Sequence, residues 1–148
     1  MGPIATREFP EQVPPNVNPN GKRVLVVDDD PVFLRATEMR LHSAGFQVVT
    51  AKESSEAIAA LGEQPADAIL LDINFPVDAC NGGMGSWDGF QIMYWLRGLP
   101  MAKGARFIMV SNSDSAVNRK RAKELGAEAY FQKPVDYEQL FAIVNAEN

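Results

Sequence analysis

Three consecutive aspartates, Asp28, Asp29 and Asp30, follow directly on the apolar run Val24-Leu25-Val26-Val27. Adjacent carboxylates repel one another unless a cation or a proton relieves them. An all-oxygen donor set suits a hard divalent cation, so Mg²⁺ (or Mn²⁺) is the expected partner. A further carboxylate, Asp72, closes a second apolar run, Ala68-Ile69-Leu70-Leu71. Ser111 closes a third, and Lys133 follows a fourth segment and precedes Pro134. Carboxylates, a hydroxyl and an amine gathered in one place suit phosphoryl transfer. Two carboxylates and a backbone carbonyl can hold the cation, and Asp72 can attack phosphorus as a nucleophile. Lys133 and the cation then neutralise the transferring oxygens, while Ser111 donates a hydrogen bond to one of them.

These residues converge only if the intervening chain places them at one rim. The sequence from Lys22 onward predicts such a frame. Val24–Asp28 reads as a first strand, with Asp30 and Pro31 suited to open a helix. Phe33, Ala36, Thr37, Leu41 and Ala44 share one face of that helix, which Gly45 ends. Phe46–Thr50 reads as a second strand, and Ser54 or Ser55 as the cap of a helix carrying Ala57, Ile58 and Leu61. Asp67–Asp72 is a third strand, apolar enough to be buried on both faces. Asp88 caps a helix bearing Phe90, Ile92, Met93, Trp95 and Leu96, with Met93 and Trp95 read as packing residues. Arg106–Ser111 is a fourth strand and Ser115–Leu125 a polar helix closed by Gly126. Glu128–Gln132 is a fifth strand, and Tyr137–Ala146 a last helix with Leu140, Phe141 and Val144 inward. Five βα units with short connections predict an α/β domain, a doubly wound parallel sheet with its ligand site at the carboxyl ends of the strands.

Composition narrows the field. The chain has 148 residues, 46% of them hydrophobic, which predicts one domain with a real core. Its net charge of −5 argues against direct nucleic-acid binding, which uses a basic footprint. No apolar run approaches the length of a membrane span. A single cysteine, Cys80, excludes an internal disulfide and makes a cytoplasmic setting the expectation. Residues 1–21 carry five prolines and no periodicity, and read as a flexible arm ahead of a domain at 22–148. His42 reads as a surface residue, and Arg119, Lys120, Arg121 and Lys123 as a solvated basic face.

Five segments, taken together, resemble the receiver domains of bacterial two-component response regulators. They are Val24-Leu25-Val26-Val27-Asp28-Asp29-Asp30-Pro31, Leu70-Leu71-Asp72-Ile73-Asn74-Phe75-Pro76, Trp87-Asp88-Gly89-Phe90, Ile108-Met109-Val110-Ser111 and Gly126-Ala127-Glu128-Ala129-Tyr130-Phe131-Gln132-Lys133-Pro134. They occur in the family's order. The resemblance implies a single flavodoxin-like (βα)5 domain with strand order 2-1-3-4-5, similar to chemotaxis regulators. It implies Asp72 as phosphoacceptor, and Asp29, Asp72 and the Asn74 carbonyl as direct metal ligands with Asp28 acting through water. It further implies Lys133 as phosphoryl clamp, Ser111 as switch hydroxyl, Tyr130 as switch aromatic, and a cis bond before Pro134. The implied phosphodonor is a sensor histidine kinase or a phosphotransfer protein. The implied output is a changed face of the fourth helix, fifth strand and fifth helix that meets a downstream protein or forms a homodimer. Such a protein is no conventional enzyme, but catalyses its own phosphorylation and dephosphorylation.

The sequence departs from this pattern in two places. The glycine-rich stretch at 77–87 is longer than the family needs, and reads as a tolerated insertion, a lid or a kinase-selecting element. Asn112 stands where the family prefers a small residue, and Asn74 and Ser113 occupy positions that tune phosphoryl lifetime. Two other functions compete. A haloacid-dehalogenase-type phosphatase would use Asp28 and Asp30, Val110-Ser111 and Lys133, although only Asp136 follows to complete its metal site. A receiver acting without phosphorylation would not need the full acidic set.

Overall fold

The computed structural model describes residues 21–74 and 89–146. The arm up to residue 20, the stretch at 77–87 and the predicted cap Asp88 lie outside them. The elements alternate as β1 (Arg23–Val27), α1 (Pro31–Ser43), β2 (Gln47–Ala51), α2 (Ser54–Glu63), β3 (Ala68–Asp72), α3 (Gly89–Arg97), β4 (Arg106–Ser111), α4 (Ala116–Leu125), β5 (Ala129–Gln132) and α5 (Tyr137–Asn145). One 3-10 turn, Pro100–Ala102, precedes β4.

All four strand pairings are parallel, and the sheet runs β2-β1-β3-β4-β5. This is the five-stranded 2-1-3-4-5 order and the flavodoxin-like architecture that the sequence predicts. Strand side chains alternate faces, and the two cores follow that period of two. Leu25, Val27, Ile69, Leu71, Phe107 and Met109 pack with Ala57 and Leu61 of α2, Phe90 and Met93 of α3 and Ala122 of α4. Val24, Val26, Leu70, Ile108 and Val110 pack with Leu34 and Leu41 of α1 and Leu140 and Val144 of α5. β3 is buried along its whole length, and truncating a residue such as Leu70 to alanine there would cost about 2–5 kcal/mol.

Helix ends follow local chemistry. Asp30 caps α1 through its side chain, which accepts from the Val32 N–H at 3.0 Å, and Pro31 occupies the first turn. Ser115 and Asp136 cap α4 and α5 in the same way. Gly126 ends α4 at φ 95°, a left-handed conformation that favours glycine. The serine cap predicted for α2 is not made. Glu53 holds that position in an extended backbone without a side-chain bond, while Glu56 reaches back to the Lys52 N–H.

Three packing assignments also change. Leu34, not Ala36, lies on the buried side of α1 with Thr37 and Leu41, because i, i+3 and i+7 share one helical face while Ala36 is rotated away from it toward solvent. Trp95 is 43% exposed, whereas Ile92, Met93 and Leu96 fill the interior side of α3. Phe141 is half-buried and lies on the rim of its core against Phe46 and Tyr137. Buried Thr37 finds a hydroxyl partner, Tyr137 Oη at 2.8 Å, which ties α1 to α5. His42 is exposed, as predicted.

Candidate functional site

Strand order reverses between β1 and β3, since β2 leaves to one side of β1 and β3 to the other. A crevice opens at such a reversal, outside the carboxyl ends of the strands. Parallel pairing carries the chain ends to it in register. Asp28 N–H bonds Ala51 O at 3.0 Å, Ile73 N–H bonds Val110 O at 2.8 Å and Lys133 N–H bonds Ser111 O at 2.8 Å. The residues after β1, β3, β4 and β5 are thereby pinned through their backbones at a single rim.

The acidic residues meet there. Carboxylate oxygens of Asp28, Asp29 and Asp72 all lie within 4.8 Å of one another. Asp28 and Asp72 are buried, whereas Asp29 is exposed. Burial raises the Asp28 pKa; the Lys133 hydrogen bond, the Asp30 N–H and the Lys133 charge oppose it, while Asp29 adds to the rise. Burial likewise pushes Asp72 up to about 6, and the Asp28 charge pushes it further, against the Asn74 N–H and the Lys133 charge. Two carboxyls that burial and mutual repulsion hold above the usual range, with a third beside them, form an all-oxygen donor set fitted to a hard cation.

Lys133 closes the other side. Its Nζ lies 2.8 Å from Asp28 Oδ2, and it follows β5 through a cis bond to Pro134. Asp28 Oδ1 accepts from the Asp30 N–H at 2.9 Å, so both oxygens of this carboxylate are engaged. Asp72 Oδ1 accepts from the Asn74 N–H at 3.1 Å. Ser111 is buried, and its Oγ accepts from the Ser113 N–H at 3.1 Å. Tyr130 is half-buried on β5, and its hydroxyl donates to Ser113 O at 3.0 Å. Asn112 and Ser113 are exposed beside it.

Every sequence-predicted site residue thus lies on the rim or on the loop beside Ser111. Asp30 is different: its side chain is spent on capping α1. Asp136, the other acid that a phosphatase reading needs, is spent on the Gln139 N–H at 3.2 Å. That reading loses both carboxylates to helix caps.

Two contributors escape a sequence reading. A Cβ on Gly89 would lie 2.3 Å from the Asp72 carbonyl oxygen and 2.6 Å from Ile73 Cα, so only glycine lets α3 begin against the end of β3. Its place directly after Asp88 in the sequence, at the predicted start of a helix, is the signal that marks it. Arg119, read as part of a solvated face, instead pairs with Asp114 at 2.6 Å and stacks over the Tyr130 ring at 4.6 Å. No spacing rule joins α4 to β5 in that way.

Comparison with known proteins places this geometry. A family model described as the response regulator receiver domain matches residues 24–145. The transcriptional regulatory protein PrrA of Mycobacterium bovis is 37% identical over 124 residues, 84% of this chain and 48% of that protein. Protein PilG of Pseudomonas aeruginosa is 26% identical over 127 residues, 86% of this chain and 87% of that protein. Among solved structures, chemotaxis protein CheY4 of Vibrio cholerae superposes with a TM-score of 0.70 at 27% identity, over 82% of this chain and 93% of that one. A response regulator from Burkholderia pseudomallei, solved with a phosphorylated aspartic acid, calcium ion and citrate, superposes with a TM-score of 0.68 at 25% identity, over 83% of this chain and 66% of that one. The chain spans about half the length of PrrA and of the other transcriptional regulators it matches. Among the described residues, no helix is long and apolar enough to cross a membrane. The chain belongs to the response regulator receiver domain family of two-component systems.

Proposed function

We propose that this protein is a phosphorylation-dependent signalling switch whose phosphoacceptor is Asp72. The observation that carries the reading is the placement of Asp72 at the end of β3, buried, with carboxylate oxygens of Asp28 and Asp29 within 4.8 Å. An Asp72 oxygen attacks phosphorus, the donor's phosphorus–nitrogen bond breaks, a phosphorus–oxygen bond forms and the donor imidazole leaves. Asp28, Asp29, Asp72 and the Asn74 carbonyl would hold Mg²⁺ (or Mn²⁺), with Asp28 acting through water. The metal, when bound, supplies positive charge to the phosphoryl oxygens. Lys133 supplies positive charge from the β5 side. Ser111, whose hydroxyl sits buried at the end of β4, turns to the new phosphoryl oxygen. Its neighbours Ser113 and Tyr130 register that movement through the hydrogen bond they share.

The donor is a sensor histidine kinase or a phosphotransfer protein, and the setting is the bacterial cytoplasm. Output passes through the face of α4, β5 and α5 to a downstream protein or a second copy of the chain, with no direct contact to nucleic acid or membrane. The receiver domain occupies 22–148 and follows a proline-rich arm at 1–21; the stretch at 77–87 lies outside the described residues. The name of PrrA, a transcriptional regulatory protein about twice the length matched, supports a role within regulators of transcription, and PilG is matched along most of its own length.

The test is incubation with Mg²⁺ and acetyl phosphate, with intact-mass and peptide mass spectrometry on wild type and Asp72→Asn. One phosphoryl group on Asp72 of the wild type and none on the variant is expected. Modification of Asp28 would overturn the assignment, and an unmodified wild type that still binds its target would establish a receiver acting without phosphorylation.

A further inference from the structure

Among the described residues, Lys133 meets an acidic partner and an aromatic one. Its ammonium lies 2.8 Å from Asp28 Oδ2 and 4.3 Å from the centroid of the Phe33 ring. Phe33 sits in the first turn of α1 and is half-buried, packed on the core that includes Val24, Val26 and Val135. The ring is therefore held by the interior and offers a face to the ammonium. The Lys133 side chain is 15% exposed, so water competes little for its charge. Under those conditions a ring face attracts a cation more strongly than it does at an open surface. A lysine stem is long and loses rotamer freedom when its head is fixed. Asp28 restrains that head from one direction and Phe33 from a second.

We propose that Phe33 is a positioning residue for phosphoryl transfer, holding the Lys133 ammonium at the rim so that its charge is in place before the phosphodonor arrives. The inference rests on the reading of Asp72 as phosphoacceptor and Lys133 as clamp. It assigns to α1 a part in the chemistry beyond carrying the acidic run into the pocket. Positioning ahead of the reaction matters because a charge that must first be gathered from solvent stabilises the transition state less.

Phe33→Leu keeps an apolar side chain on the core and removes the ring face, while Phe33→Tyr keeps that face. With saturating Mg²⁺ and acetyl phosphate, Phe33→Leu is expected to lower the phosphorylation rate constant by about 5- to 20-fold, the size of a partly desolvated cation–π contact. Phe33→Tyr is expected to stay within about twofold of wild type. The Mg²⁺ dissociation constant should change less than about twofold in both, because the ring touches the clamp and not the carboxylates. A structural readout runs beside the kinetics. The Lys133 side-chain protons should resonate upfield through the ring current in wild type and Phe33→Tyr, and return to ordinary positions in Phe33→Leu. Equal rates for wild type and Phe33→Leu, or ordinary Lys133 shifts in the wild type, would overturn this inference and leave the phosphoacceptor standing. A wild type that takes no phosphoryl group on Asp72 would overturn both.

Discussion

The two halves of the rim are built on opposite terms. At the ends of β1 and β3, Asp28 and Asp72 are buried carboxylates that repel each other, and burial holds both above the usual pKa range. At the ends of β4 and β5, the polar groups are already matched: Ser111 with Ser113, Tyr130 with the Ser113 carbonyl, and Arg119 with Asp114 and the Tyr130 ring. The first half gathers three carboxylates against one ammonium, and the second pairs each polar group with a partner of its own. Lys133 belongs to the second by chain position and to the first by contact. The difference suggests a division of labour. In the switch proposed above, the acidic half would admit a cation and a phosphoryl group, and the matched half would rearrange on their arrival.

The strongest way to break this contrast is at Asp72. Asp72→Asn should lose phosphoryl uptake altogether, as read by the mass of the intact protein, while the Ser113–Tyr130 contact persists. Removing the shared lysine comes next. Lys133→Met should slow uptake by about 100-fold, the scale of losing one preorganised electrostatic contact, as measured with acetyl phosphate at saturating Mg²⁺.

A steric change should disturb the acidic half alone. Gly89→Ala sets a methyl group against the Asp72 carbonyl and should cost about 2–4 kcal/mol in denaturant unfolding. It should leave the Tyr130 hydroxyl on Ser113.

The pH response should divide the halves in the same way. Asp72 titrates near 6 in the folded protein against an ordinary 3.8, so the folded state binds its proton more tightly than the unfolded chain does. The resulting stability is fully present below the ordinary value and is lost as pH rises through about 6. Metal-free wild type should therefore weaken across that interval by about 1–3 kcal/mol. Asp72→Asn should flatten that part of the curve, and Mg²⁺ should restore stability at neutral pH.

The smallest effect belongs to the matched half. Arg119→Ala removes a solvent-exposed ion pair and should cost under about 1 kcal/mol. It should loosen the Tyr130 ring, detectable as altered aromatic line widths, with phosphoryl uptake unchanged.

Legibility in the sequence followed the same divide. The frame was readable because β-branched runs, prolines and glycines mark strands and helix ends locally, and the carboxylates close those runs. Asp28, Asp72, Ser111 and Lys133 reach one rim as a direct consequence of parallel order. What the sequence did not disclose depends on packing between elements distant along the chain. Phe33 meets Lys133 across the width of the sheet, and Arg119 meets Tyr130 from the neighbouring helix; neither pairing has a period. Leu34 and Ala36 stand two residues apart, on nearly opposite sides of α1, and composition alone does not decide which side is buried. Trp95 lies on the apolar pattern of α3, yet Ile92, Met93 and Leu96 already occupy the interior side.

The contact between Ile73 and Gly89 has a consequence for how this protein tolerates change. The Gly89 N–H donates to the Ile73 carbonyl at 2.6 Å, and the Asn74 N–H is held by Asp72. The chain that departs after Asn74 is thus tied off where it returns, like a bag at its neck. The cost of closing a loop grows only with the logarithm of its length, and here both of its ends are anchored by residues that the pocket needs anyway. The aim of Asp72 therefore rests on two anchors in the described structure, the Ile73–Gly89 tie and the Asn74 N–H, so a change at either should be felt at the rim.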